Sequence, residues 1–438
     1  MALDIKFTFL LLILFAASIL DIKAQSHATK LTEEERAQVV EEVSQLLRDN
    51  YIFPEVAEEM AELIKEGLKN NYKSLEWPQE FAECLTEDLR SISNDRHLSV
   101  IFEQKPVMGQ NSSGSPDAKR NYLDNQRRDN FGFKELKILD GNIGYLNLKG
   151  FVHADFAKET AVAAMNFLAN ADAVIIDLRE NGGGSPTMIQ LISSYFFKGD
   201  PIHLNTFYNR PNDETWETWT LEEIPGKRMP DVDLYILTSN YTFSAAEEFA
   251  YNLRHLNRAT IVGETTGGGA HPVQRMVVAD RFMISLPTGR AINPITKTNW
   301  EGVGVEPHMK VESDEALLTA QIMALETLAG KASPETKKLY EWHLTNFKAQ
   351  EEPLQLEGSQ LVRYTGVYGP REVTVENGKL FYKRSGSPKF ELIPLDRGLF
   401  GIKDMSNFRV KFHEENNEVK AMTGIYLNGN EETYTKGN

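Results

Sequence analysis

Three times between residues 173 and 269, a short apolar run stops at a turn of glycines or small polar residues. Ala173 to Leu178 runs into Asn181-Gly182-Gly183-Gly184, and Leu234 to Leu237 into Thr238-Ser239-Asn240-Tyr241-Thr242-Phe243-Ser244. Ile261-Val262 runs into Gly263-Glu264-Thr265-Thr266-Gly267-Gly268-Gly269. An uninterrupted apolar strand is one covered on both faces, as in a parallel sheet sandwiched by helices. Phe156 to Leu168, Met188 to Phe197 and Ala245 to Leu256 have helical spacing. Strand, turn and helix in repetition predict an α/β core. Ile143 to Leu148, after an Asp140-Gly141 turn, adds a strand, and Glu312 to Leu328 closes the region as a helix.

A chain of 438 residues, 41% hydrophobic and 25% charged, exceeds one ordinary domain. Thr32 and Glu35 have capping-box spacing. Val39, Val43, Leu46 and Leu47, then Val56, Met60, Leu63, Ile64 and Leu68, then Phe81, Leu85 and Leu89 after Pro78, mark three helices. They place a helical domain at 25–104 and the α/β core at 105–330, with Lys105 to Asn130 read as a loop. Residues 331–357 are charged and read as a helical linker. From 358 to 438 short strands alternate with turn residues, and Asn377-Gly378 is a hairpin signal. A small β-barrel or sandwich is expected there. The first 24 residues, with Lys6, an apolar stretch from Phe7 to Leu20 and Ile22-Lys23-Ala24, read as a cleaved export signal. The destination is periplasmic or extracellular, with no membrane span expected after cleavage.

A net charge of -16 argues against nucleic acid as a partner. Cys84 is the single cysteine and reads as a buried core thiol, so no intramolecular disulfide is possible. No metal-ligand spacing, dinucleotide fingerprint or phosphate-binding loop occurs, so no metal or cofactor is expected. Trp216 and Trp219 read as core or rim packing.

Each of the three turns has two readings. The glycines at 182–184 either make a tight turn or leave backbone N–H groups open to an anion. Ser244 is either the N-cap of the following helix, with Glu247 completing a capping box, or a hydroxyl presented at a helix N-terminus. The loop from Gly263 to His271 either closes the fold or lines a cleft that receives an extended peptide.

In their order, these motifs resemble the tail-specific, or C-terminal processing, serine peptidases. The carriers are the glycine turn, Thr238-Ser239-x-x-Thr242-x-Ser244-Ala245-Ala246-Glu247, and Gly263-Glu264-Thr265-Thr266-Gly267-Gly268. The resemblance runs from about Thr32 to Lys310, and the helical N-terminal region is similar to the branch related to interphotoreceptor retinoid-binding protein. It implies a ClpP/crotonase-like α/β peptidase core and a protein or peptide substrate. It implies Ser244 as nucleophile, the N–H groups of Gly183 and Ala245 as oxyanion donors, and Glu247 as a supporting residue. Gly182, Thr266, Gly267 and His271 would support the site or line the cleft. The best-known branch has a lysine base 25 positions after the serine, where this chain has Gly269. The tricorn-like branch uses histidine and glutamate, which implies His97, in Asn94-Asp95-Arg96-His97-Leu98, as base and Glu301 as its carboxylate. Arg96 departs from the glycine usual there, and His271 is the competing base. Imidazole titrates near ~6.5, which suits a general base at neutral pH. A non-catalytic module binding peptides or apolar ligands on the same fold is the alternative.

Overall fold

The computed structural model describes residues 29–103 and 116–437. The export-signal segment lies outside the described residues. The chain forms two compact units. One holds the described residues before Lys119 together with Asn209–Glu214 and Pro272–Gly289, and the other holds the remaining described residues.

In the first unit the expected capping box opens helix Glu33–Asn50: Glu35 N–H donates to Thr32 Oγ1 at 3.1 Å and Thr32 N–H to Glu35 Oε2 at 2.8 Å. Helices Pro54–Gly67 and Pro78–Ser93 each begin on a proline, whose missing N–H has no role in a first turn. The last ends at Asn94 in the left-handed conformation, φ 53°. The chain then enters strand Ser99–Phe102, which pairs antiparallel with Phe282–Pro287, itself paired with Val273–Val278. Phe282 lies 6.1 Å from Phe81 and 5.4 Å from Phe102 between ring centroids, so the distant hairpin walls the helical core. Arg210, also from a distant segment, donates to the carbonyls of Arg48 (2.9 Å) and Tyr51 (2.7 Å) and closes the first helix. Cys84 is half-buried rather than buried, and burial raises its thiol pKa.

The second unit is built on a six-stranded sheet in the order Met309–Lys310, Thr260–Gly263, Asp233–Thr238, Ala173–Asp177, Ile143–Leu148, Phe133–Leu139. All neighbours are parallel except the last pair. Side chains alternate between two cores. Val174, Ile176, Leu234 and Ile236 meet helices Ala154–Leu168, Pro186–Ser194 and Ala245–His255 on one face. Ala173, Ile175, Tyr235 and Leu237 meet Ala316–Lys331 on the other, which explains the unbroken apolar runs.

Two expectations change. Helix Pro116–Arg128 occupies part of the segment read as a loop; its polar composition, with Tyr122 and Leu123 as the large apolar residues, hid the helix. Pro334–Glu351 is a helix, but it packs beside Ala316–Lys331 and buries Tyr340 and Phe347 in the same core, with Tyr340 Oη donating to Asp172 Oδ2 at 2.8 Å. Residues 366–435 form an eight-stranded antiparallel meander. It is nearly closed: Tyr368 bridges to Lys436, and Gly437 N–H donates to Val367 O at 2.8 Å. Asn377 and Gly378, both at positive φ, make the two-residue hairpin. Tyr368, Phe400, Val410, Phe412 and Met422 fill the barrel.

Candidate functional site

The C-terminal ends of strands Ala173–Asp177, Asp233–Thr238 and Thr260–Gly263 deliver all three turns to one edge of the parallel sheet, where α/β folds place their ligands. The turns are laced together. Thr242 Oγ1 donates to Leu178 O (2.8 Å) and Ser239 Oγ to Arg179 O (2.5 Å). Phe243 N–H donates to Asn181 O (3.1 Å), and Gly267 N–H to Thr242 O (2.9 Å). Beneath the first turn, Asp177 holds Arg179 through two hydrogen bonds of 2.9 and 2.6 Å and accepts Tyr145 Oη at 2.8 Å. Those hydrogen bonds raise the Arg179 pKa.

Ser244 begins helix Ala245–His255 at φ 54°, ψ -121°. An ordinary N-cap is extended. A non-glycine residue in this region carries strain of about 1–3 kcal/mol and is held only when its surroundings over-determine it. Glu247 supplies the hold. Its Oε2 accepts Ser244 N–H (2.8 Å) and Gly269 N–H (2.8 Å), and its Oε1 accepts Gly268 N–H (2.6 Å) and Thr266 Oγ1 (2.5 Å). Burial raises the Glu247 pKa, and these four donors oppose the rise. The capping box is therefore present, with the Glu247 half strong; the reciprocal contact of the Ser244 side chain falls short of a regular cap hydrogen bond. Ser244 stays partly exposed.

Gly183, at φ 110°, lies against the Ser244 turn: a Cβ there would fall 2.9 Å from Ser244 Cβ and 3.0 Å from Ala245 N. The structure thus brings Gly183, Ser244 and Ala245 together. One departure concerns the Gly183 donor. Its N–H bonds to Asn181 Oδ1 at 2.8 Å, so in this arrangement it is not an open donor. The Ala245 N–H belongs to the first turn of its helix, where no intrahelical acceptor exists. Gly182 is exposed beside Tyr241.

On the third turn, buried Trp300 donates from Nε1 to Gly269 O (2.7 Å), and Glu301 Oε2 accepts Ala270 N–H (2.5 Å). His271 Nδ1 stands 3.5 Å from Glu301 Oε2. Within the unit that carries Ser244, the imidazole beside Glu301 is therefore His271. His97 belongs to the helical unit, in the turn after helix Pro78–Ser93. There its N–H donates to Asp95 Oδ1 (2.9 Å), and its Nδ1 lies 3.9 Å from the same oxygen. Asp95 is buried. Sequence reasoning passed over Asn181 and Trp300 as site residues; the place of Asn181 just before the glycines was the one available signal.

A helix-start serine at positive φ on a strand-to-helix turn, with a helix N–H beside it, is an arrangement that can present a hydroxyl to a bound carbonyl. Comparison with known proteins makes this specific. The model of peptidase family S41 matches residues 142–311, and that of the N-terminal domain of Peptidase S41 in eukaryotic IRBP matches residues 23–136, together about two thirds of the chain. The chain belongs to peptidase family S41. It is 31% identical over 135 residues to the tail-specific protease of Haemophilus influenzae, a match covering 30% of this chain and 18% of that protein. A crystal structure of a candidate peptidase from Parabacteroides merdae is 18% identical, covers 69% of this chain and all of its own, and has a TM-score of 0.50. The photosystem II D1 C-terminal processing protease is 13% identical, over 65% of this chain and 94% of its own, at a TM-score of 0.40.

Proposed function

We propose that this chain is an exported serine endopeptidase acting through an acyl-enzyme on Ser244. The observation that carries the reading is the Ser244 backbone, strained at φ 54° and pinned by buried Glu247 against Gly183. A residue that served only to cap a helix has no need of that conformation. Ser244 Oγ attacks the peptide carbonyl while an imidazole takes its proton. The tetrahedral oxyanion receives the Ala245 N–H, aided by the helix dipole. Collapse breaks the C–N bond, and the imidazolium proton goes to the leaving amine. Water then attacks the ester, with the same imidazole as base, and releases Ser244.

The family resemblance assigns the base to His97 and its orienting carboxylate to Glu301. A second reading has a specific observation in its favour: His271 Nδ1 lies 3.5 Å from Glu301 Oε2, so this pair supplies base and carboxylate from one unit. Export rests on the apolar segment from Phe7 to Leu20. Among the described residues, no helix is long and apolar enough to cross a membrane. The substrate is an unfolded chain or peptide.

The test is hydrolysis of an unfolded protein by the purified chain and by Ser244→Ala. Cleavage by the parent, lost by at least about 10³-fold in the variant, is the expected result. A well-folded parent that binds peptides without cleaving them would instead establish the binding-module alternative.

A further inference from the structure

Asn181 makes more contacts across the site than a turn residue needs. Its side chain is wholly buried. Nδ2 donates to Leu148 O at 2.8 Å, at the end of the neighbouring strand Ile143–Leu148. Oδ1 accepts Gly183 N–H at 2.8 Å. The backbone carbonyl accepts Phe243 N–H at 3.1 Å, one residue before the nucleophile. The backbone N–H donates to Leu178 O at 3.0 Å, which also accepts Thr242 Oγ1. One residue thus joins the sheet, the glycine turn and the nucleophile turn.

We infer that Asn181 is the positioning residue of the oxyanion loop. It fixes the Gly182-Gly183 peptide against Ser244 and holds the Gly183 N–H on its own amide oxygen until negative charge develops on the substrate carbonyl. The oxyanion, a stronger acceptor than a neutral amide, then shares that N–H. The bond to Leu148 O keeps the Asn181 side chain from following the glycine, so the donor is released without the loop moving away. A second oxyanion donor joins Ala245 N–H in the transition state alone, which is where an interaction raises kcat. This inference rests on Ser244 as nucleophile and adds how the hole beside it is set.

The two claims separate experimentally. If the parent neither cleaves an unfolded substrate nor labels with a serine-directed phosphonate, the peptidase reading fails. With an active parent, Asn181→Ala is the test of the inference. The expected result is a fall in kcat of about 10²- to 10³-fold, the range for losing one oxyanion donor, with KM within about twofold. Affinity for a peptide aldehyde, which forms a tetrahedral adduct on the serine, falls in parallel. Asn181→Asp adds a readout that a purely structural role does not move. A carboxyl buried there has a raised pKa, and its neutral form reproduces both bonds, donating to Leu148 O and accepting Gly183 N–H. The kcat of Asn181→Asp relative to the parent therefore rises as pH falls. Should the alanine variant not fold, the aspartate profile decides alone. A folded alanine variant with kcat within twofold of the parent, or an aspartate variant whose kcat tracks the parent at every pH, overturns the inference.

Discussion

Glu247 Oε2 accepts the backbone N–H of Ser244 at 2.8 Å and, at the same distance, that of Gly269, the position where the lysine branch of the family carries its base. One carboxylate therefore joins the Ser244 turn to the loop from Gly263 to Gly269. Removing it in Glu247→Ala leaves the donors of Ser244, Thr266, Gly268 and Gly269 without their acceptor. At about 1–3 kcal/mol for a buried unsatisfied group, stability falls by at least about 3 kcal/mol, read by denaturant unfolding. In a variant that still folds, kcat falls at least tenfold because Ser244 relaxes from its strained backbone. An unchanged unfolding midpoint with full activity would show that Glu247 is dispensable.

The two histidines predict opposite results for one pair of variants. With His97 as base, His97→Gln loses at least about 10³-fold in kcat, and His271→Gln keeps most of its kcat while KM rises. With His271 as base, drawing on its 3.5 Å separation from Glu301, the losses exchange places. Steady-state kinetics on both variants decides the assignment.

Glu248, next to Glu247 and likewise buried, accepts a hydrogen bond from Asn205 Nδ2 at 3.1 Å. Burial raises its pKa to about 7, against the Asn205 and Asn252 hydrogen bonds, which lower it. A folded-state pKa above the unfolded value of 4.5 means that the folded chain holds the proton more tightly. Its stabilising contribution is complete below pH 4.5 and is lost as pH rises towards 7. Glu248→Gln, uncharged at every pH, removes that loss. Its unfolding free energy exceeds the parent's at pH 8 by up to about 3 kcal/mol and differs little at pH 4.5. An equal difference at both pH values would show that Glu248 does not titrate in this range.

Gly183→Ala tests the approach of the first turn to Ser244. The new Cβ meets Ser244 Cβ at 2.9 Å and takes φ 110°, a conformation that L side chains rarely adopt. Strain of about 1–3 kcal/mol falls on the site itself, so activity drops at least tenfold while much of the fold survives. Activity assays beside thermal unfolding separate the two effects, and a fully active Gly183→Ala would show that the turn is not held against Ser244.

What the sequence reveals follows the range of the physics. The α/β core was legible because its strands are covered on both faces and write unbroken apolar runs, as at Ala173–Ile176 and Leu234–Leu237. The Asn377-Gly378 hairpin and the Thr32–Glu35 capping box were legible because they are local. The Phe282–Pro287 strand was not assigned to the helical unit, since nothing near Phe282 announces Phe81 and Phe102 as its partners. Ser244 could be found by motif order, but its positive φ could not, because the Glu247 that holds it is itself fixed by Thr266, Gly268 and Gly269 of a distant loop. Asn181 looked like part of a turn and proved to join three elements.

The most direct measurement is peptide mapping by mass spectrometry after treatment with a serine-directed fluorophosphonate. The account predicts one phosphonyl adduct on the peptide containing Ser244, formed at a rate that falls with pre-bound substrate, and none in Ser244→Ala. An adduct on another serine, or equal labelling of the folded Ser244→Ala chain, would contradict it.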